Sequence, residues 1–413
     1  MIGIVMKVLA LGGPGAMGAV AVRLAARLPG VDEIVVADRD LDAAQRLTAE
    51  LRTAACPVRA QRVDVTDSAA LHGALRNADV VLNTVGPYYR FGLPVLRAAI
   101  ATGTHYLDLC DDWEPTLRML ELDSAARQAG VRAVIGMGAS PGVSNLLALA
   151  AARTLDTVRD VYTAWPVDAP SGHTEAVEPQ ASGTHPPAAL VHWMEQISGT
   201  ITVVRHGRTT REPPLRAVPL ELPGDRRGTG YTVGHPEPVT LHRTLRPTGE
   251  AANLMIVTPG TAAFLEVLRR DIDRGRLTNE TAAAQVLEPG LLRGIRSLLI
   301  AGRFGSPGTL PPFFAAAHGR KDDREHTVLA YLADDSETGA PLFIDDMSRA
   351  TGIPLALGLS QLIDGSAGRP GVHPPESALD PDRFFRDLRP HLGLSGDGPA
   401  LVLEHHTPAV PAH

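Results

Sequence analysis

The stretch LGGPGAMG, residues 11–18, closes the apolar run KVLAL (7–11) and opens an alanine-rich segment with helical spacing. A turn that brings backbone N–H groups onto a pyrophosphate tolerates no side chain at its tight bend, none where the phosphate approaches, and none where helix packs on strand. Gly13, Gly15 and Gly18 fill those three places, with Ala16 and Met17 between the last two at the helix start. Twenty residues past Gly18, EIVVADRD puts Asp38 at the tip of a second strand, where a carboxylate accepts hydrogen bonds from an adenosine ribose. Strand, glycine turn, helix, strand and acid together predict dinucleotide binding.

Working outward, short β-rich runs alternate with helical ones through residue 145. Strands are expected at 7–11, 33–37, 58–63, 79–84, 105–109 and 132–136, and helices at 16–28, 41–51, 68–75, 93–102 and 114–129. Six strands with crossover helices form an α/β fold, a Rossmann doubly wound parallel sheet. Past PGVSNLLALAAART (141–154) the chain becomes richer in Pro, Gly and polar residues. The expected division is a dinucleotide-binding domain over 1–148, a second, α+β domain over 149–344, to which the resemblance named below assigns substrate binding and dimerisation, and a segment, 345–413, packing back on the first domain.

Composition narrows the partners. A net charge of −7 and two scattered cysteines, Cys56 and Cys110, give no basic footprint for nucleic acid or an anionic membrane, no disulfide framework and no thiolate metal site. No run of eighteen apolar residues occurs, so a cytoplasmic protein acting on a small molecule is expected. Lys7 and Lys321 are the only lysines among 39 Lys+Arg. Neither sits where a P-loop or a Schiff base needs one. The tail histidines His405, His406 and His413 read as a solvated terminus, and no metal is expected.

Cofactor and chemistry come next along the expected carboxyl edge of the sheet. Asp38 repels a 2′-phosphate and favours NAD, while Arg39 can pair with that phosphate or stack on adenine, so NADP is the alternative. Asp64 and Val65 end the third strand where adenine would lie. The fourth strand ends in LNTVGPYYRFG, placing Thr84, Val85, Gly86 and Pro87 beside the nicotinamide, with Tyr88 and Tyr89 following. The fifth ends in LDLCDDWE, bringing Asp108, Cys110, Asp111 and Asp112 to the same edge. A tyrosine and a carboxylate there suit proton transfer, and Tyr88, Asp108 and Asp111 are the candidate catalytic residues. Ser140, in GASPG, is a candidate substrate contact. Farther on, GHPEP offers His235 and Glu237 with Arg243 nearby, and HPPAALVHW carries His185 and His192.

GGPGAMG, ADRD, NTVGPYYRFG, YLDLCDD and GMGASPGVSNLLA, followed more faintly by GYTVGHPEPVTL and GVHPPESALDPDRFF, resemble the saccharopine dehydrogenase-like family. That group contains saccharopine reductase, carboxynorspermidine dehydrogenase and homospermidine synthase. The resemblance implies a nicotinamide-dependent oxidoreductase acting at a carbon–nitrogen bond of an amine or amino-acid-like substrate, a second domain for substrate and dimerisation, and a homodimer. It places the family's tyrosine on Tyr88 and its acidic region on Asp108 to Asp112. Where saccharopine reductases read Gly-Leu-Asp-Pro-Gly, this chain has Gly138, Ala139, Ser140, Pro141 and Gly142. The lost carboxylate argues against saccharopine itself. Imine reduction, or its reverse, is the leading expectation; an enoyl reductase on the same fold and a non-catalytic NAD(P)-binding redox sensor are the rivals.

Overall fold

A computed structural model describes residues 6–167, 186, 188–334 and 342–407. The chain divides into two units, Met1–Leu146 with Ala333–Ala400, and Leu147–Leu332 with Leu401–His413. Among the described residues, no helix is long and apolar enough to cross a membrane.

The first unit is built on a seven-stranded, all-parallel sheet. Its order is Gly371–His373, Arg132–Val134, His105–Asp108, Val80–Asn83, Met6–Leu11, Val31–Asp38 and Val58–Arg62. Val8, Leu9, Val80, Val81, Tyr106 and Leu107 are buried, as expected for strands covered by helices on both faces. The chain runs outward through the first three strands, then returns to pair Val80–Asn83 on the other side of Met6–Leu11, with Leu11 opposite Asn83. That reversal makes a crevice at the carboxyl ends of these two strands.

Six strands were expected and a seventh was not: Gly371–His373 is three residues long, too short for an alternating pattern to register. It reaches the sheet because helix Met347–Ile363 packs along the first helix, Ala16–Ala25. Gly352 lies at the crossing, where an added Cβ would collide with the Met17 carbonyl and come within 2.8 Å of Val20 Cβ.

The second unit is a mixed sheet in the order Ala217–Leu222, Arg226–Thr232, Ala251–Ile256, Thr157–Pro166, Phe314–Lys321, Arg324–Leu332, Leu401–His406, with the hairpin Ile201–Arg205/Arg208–Glu212 paired off Ala251. Alternation along Ala251–Ile256 sorts its side chains to opposite faces. Leu254 joins Tyr162, Phe314 and Leu329 in one core, and Met255 joins Tyr231, Leu265 and Leu268 in another.

Two expected boundaries are corrected here. The chain returns to the first unit at Ala333 rather than near 345, and the tail does not remain there. Leu401–His406 pairs antiparallel with Arg324–Leu332, so His405 and His406, both exposed as expected, belong to a strand. The physical reason is the ladder of unpaired N–H and C=O groups that Arg324–Leu332 would otherwise present on its outer side. His413 lies outside the described residues.

Gly352→Ala should force the two helices apart at a point without slack. A loss of about 1–3 kcal/mol is expected, seen as a fall in the urea unfolding midpoint with an unchanged slope.

Candidate functional site

The glycine turn lies at the sheet's reversal. Gly12, directly after the first strand, has φ +72°, a conformation L side chains rarely adopt, and a Cβ there would sit 2.9 Å from Thr84 Oγ1. The sharp bend expected at Gly13 therefore falls on Gly12, a residue passed over because the G-x-G-x-x-G spacing is satisfied without it. A Cβ on Gly18 would lie 2.7 Å from the Gly12 carbonyl oxygen and 2.8 Å from Thr84 Oγ1. Thr84 is the lid of this packing: its backbone N–H and its hydroxyl both donate to the Leu11 carbonyl at 2.9 Å. Val85, Gly86 and Pro87 continue from it along the edge, with Gly86 exposed.

Gly15 begins helix Ala16–Ala25, and no side chain caps that terminus. The next two helices, Leu41–Glu50 and Ser68–Leu75, are capped by the Asp40 and Asp67 carboxylates. The N–H groups of Ala16, Met17 and Gly18 thus start a helix whose positive end carries no built-in anion, framed by positions where a Cβ does not fit. These residues suit a dinucleotide pyrophosphate.

At the adenosine end, Asp38 accepts a 2.9 Å hydrogen bond from the Asp40 amide, which fixes its carboxylate at the strand tip. Arg39 is exposed beside it. Asp64 accepts from the Thr66 hydroxyl at 2.7 Å and from its amide at 2.9 Å. Those bonds, reinforced by the Arg39 and Arg62 charges, hold its carboxyl below the usual range. Asp64 spends itself on this turn, with Val65 half-buried inside it. Arg62 was missed from sequence, although it pairs in register with Asp38 on the neighbouring strand.

Residues 8–134 match the family described as the saccharopine dehydrogenase NADP binding domain. The match falls within the first unit. That unit carries a saccharopine dehydrogenase-like NAD(P)-binding fold. A saccharopine dehydrogenase [NADP(+), L-glutamate-forming] of Pyricularia oryzae is 29% identical over 132 residues, 32% of this chain and 26% of that protein. A putative trans-acting enoyl reductase of Mycobacterium tuberculosis is 32% identical over 130 residues, 31% of this chain and 30% of that protein. A trans-acting enoyl reductase of Mycobacterium leprae is 36% identical over 76 residues, 18% of each chain. The match thus spans less than a third of these relatives. Apo saccharopine dehydrogenase (L-Glu forming) from Saccharomyces cerevisiae shares the fold across 98% of this chain and 100% of its own, with a TM-score of 0.63 and 18% identity.

The tyrosine and carboxylate expected to move protons are tied into the sheet edge. Tyr88, at the start of helix Tyr88–Thr102, is buried; its hydroxyl donates to the Asn83 carbonyl at 2.9 Å and accepts from the Leu109 amide at 3.3 Å. Burial, with Asp108 nearby, pushes that phenol far above its ordinary range. Both sides of its hydroxyl are engaged in this way. Asp108 is fully buried and accepts from Tyr106 Oη at 2.7 Å, the Gly136 amide at 2.7 Å and the Cys110 amide at 3.0 Å. Asn83 donates in turn to Tyr106 Oη at 3.0 Å. Asn83 and Tyr106 also escaped the sequence reading, because a side-chain hydrogen bond between neighbouring strands leaves no mark in the spacing of either. Cys110 is buried, and burial raises its thiol well out of the reactive range.

Asp111 is half-buried beyond this network, and Asp112 precedes helix Trp113–Leu120. Tyr89 is 57% exposed. Ser140 is half-buried in a loop with a cis Ser140–Pro141 bond, closed by the Gly138 amide donating to the Pro141 carbonyl at 2.9 Å. In the second unit, His235 is buried with Nδ1 3.3 Å from Glu237 Oε2 and its ring against Trp165, whereas Arg243 is exposed on helix Glu237–Leu245. His192 lies on helix Ala188–Gln196, its Nε2 3.0 Å from Gln196 Nε2; His185 is outside the described residues.

Burial raises the Asp108 carboxyl from 3.8 to about 6, against the pull of its Tyr106, Gly136 and Cys110 donors. Between the unfolded and folded values the native chain holds a proton that the unfolded chain has released. The resulting stabilisation is complete below about pH 4 and is lost as pH rises through about 6, a change of about 3 kcal/mol. Urea unfolding from pH 4 to pH 7 should show wild type losing about that much relative to Asp108→Asn; parallel pH profiles for the two would remove the assignment.

Proposed function

We propose that the chain is an NAD(P)-dependent oxidoreductase that transfers a hydride at a carbon–nitrogen bond, reducing the imine formed between an amine or amino-acid-like substrate and a carbonyl compound, or running the reverse. The single observation that carries this reading is the uncapped helix start framed by Gly12, Gly15, Gly18 and Thr84 at the sheet's reversal. A nicotinamide bound there supplies or accepts the hydride. Gly13 and Gly15 to Gly18 hold the pyrophosphate, Asp38, Arg39 and Arg62 the adenosine end, and Thr84 to Pro87 the nicotinamide side.

The engagement of the buried hydroxyls favours C=N over C=C chemistry. A protonated imine arrives with its nitrogen already carrying the proton, so hydride addition to carbon needs no separate acid. Reducing an enoyl group requires a donor for the adjacent carbon, and Tyr88 and Tyr106 both hold their hydroxyls inside the fold. Asp111, half-buried at the same edge, is the residue assigned to carbinolamine dehydration, and Tyr88 and Asp108 position the edge. Tyr89, Ser140, His235 and Arg243 are the remaining candidates for substrate contact. The enoyl reductase reading keeps a place because relatives bearing that name match the first unit.

The test is nicotinamide oxidation with panels of amine–carbonyl pairs and of enoyl thioesters. Turnover confined to the amine panel supports the proposal; turnover confined to the thioesters assigns the enoyl reaction, and tight binding without turnover in either panel assigns the sensor. Tyr88→Phe should lower stability by about 1 kcal/mol through a lost buried hydrogen bond while leaving the pH–rate profile unshifted.

For the cofactor we propose that NADP is accepted alongside NAD, since exposed Arg39 follows Asp38 and Arg62 pairs in register with it on the neighbouring strand. Removing either arginine should weaken NADPH binding about tenfold and leave NADH binding nearly unchanged by calorimetry. Equal losses for both coenzymes would place these guanidinium groups away from a 2′-phosphate.

A further inference from the structure

The sheet of the second unit curls until its two edges meet. Arg226, one strand in from the Ala217–Leu222 edge, forms a bidentate pair at 2.6 and 3.0 Å with Glu404, on the strand at the other end of the path, and the Tyr331 hydroxyl donates to the same carboxylate. Tyr162, Leu220, Phe314 and Leu329 fill the space so enclosed. Alternation along three neighbouring strands turns Asp160, His318 and Thr327 to the side of that core. The register sets Asp160 opposite His318, His318 opposite Thr327, and Thr327 opposite His406. This polar row borders a cavity of about 700 Å³, lined beneath by Tyr162, Leu220 and Leu222 and belonging wholly to the second unit. The mouth of a closed sheet is a place where small ligands bind, and the volume suits one.

The hydrogen bonds already made at the mouth select the ligand's chemistry. The inward carboxylates are occupied: Asp160 accepts from Arg159 Nε and from the Glu250 amide, each at 2.8 Å, and Glu404 accepts from Arg226 and Tyr331. Neither is left to hold an ammonium group. Donors remain. His318 engages the Thr327 hydroxyl through Nδ1 at 2.9 Å, while its Nε2 has no partner among the described residues. His406 is exposed in the same row, and exposed Arg227 adds a cation at the rim. Burial lowers the His318 pKa below its ordinary range, so the ring is neutral and carries a single N–H. We infer that this mouth binds a small organic carboxylate, its carbon skeleton over Tyr162, Leu220 and Leu222 and its acid group hydrogen-bonded by His318 Nε2–H and His406. Exposed Glu221 and Asp225, which also line the cavity, disfavour a multiply charged anion such as a phosphate ester. The site lies on the opposite face of the sheet from Trp165 and the His235 ring stacked on it, and it is independent of the reaction proposed above.

Calorimetry and saturation-transfer NMR of the full chain with hexanoate, benzoate and glutarate, each beside its uncharged amide, form the test. At least one acid should bind about tenfold or more tightly than its amide. Its affinity should be the same with and without NADPH, which separates this mouth from the glycine turn of the first unit. His318→Leu should weaken that acid about tenfold, and His406→Ala about threefold. His406 is exposed, so its substitution leaves folding intact even if the His318 variant does not fold. No acid binding below about 10 mM, amides that bind as tightly as the acids, an affinity unchanged by either substitution, or displacement by NADPH would each overturn the assignment.

Discussion

Everything at the carboxyl edge of the first sheet depends on close approach between Leu11 and Thr84. The two Thr84 donors converge on the Leu11 carbonyl, and the space left beside them admits backbone but no Cβ at Gly12 or Gly18. This packing draws the first helix down so that its amino end meets the crevice. Loosening it by one methyl group would displace the N–H groups from the place where an anion can reach all of them, and binding by a helix end falls off within its first turn.

The edge is stiffened from beneath by polar groups. Asn83, Tyr106 and Asp108 form a buried chain that ends on the Gly136 and Cys110 amides, and Tyr88 bridges Asn83 to Leu109. Neighbouring strand ends that would otherwise open into independent loops are joined in this way. The network has a thermodynamic cost, since a carboxyl without water is harder to ionise, and the return is geometric: a surface on which a ring and a substrate can be held in fixed relation.

How much of this was legible follows the range of the interactions. The strand, turn and helix around residues 7–25 and the acid at Asp38 are local, so spacing alone placed them. Gly12 was overlooked because its role depends on a contact with Thr84, seventy-two residues away. Arg62 depends on the register between two strands, and the hydrogen-bond partners of Tyr88, the Asn83 carbonyl and the Leu109 amide, come from the ends of two different strands. The seventh strand was out of reach for the same reason, since three residues acquire β structure only from the neighbour they meet.

The chain also interleaves its two units. Residues 147–332 complete most of the second sheet, residues 333–400 go to the first unit, and Leu401–His406 come back to the second. Until the ribosome has released these last strands, Arg324–Leu332 has an open side able to recruit any extended segment nearby. The halves of this protein consequently cannot mature one after the other in simple order of synthesis, and a cut that separated them cleanly in sequence would leave each lacking a piece held by the other.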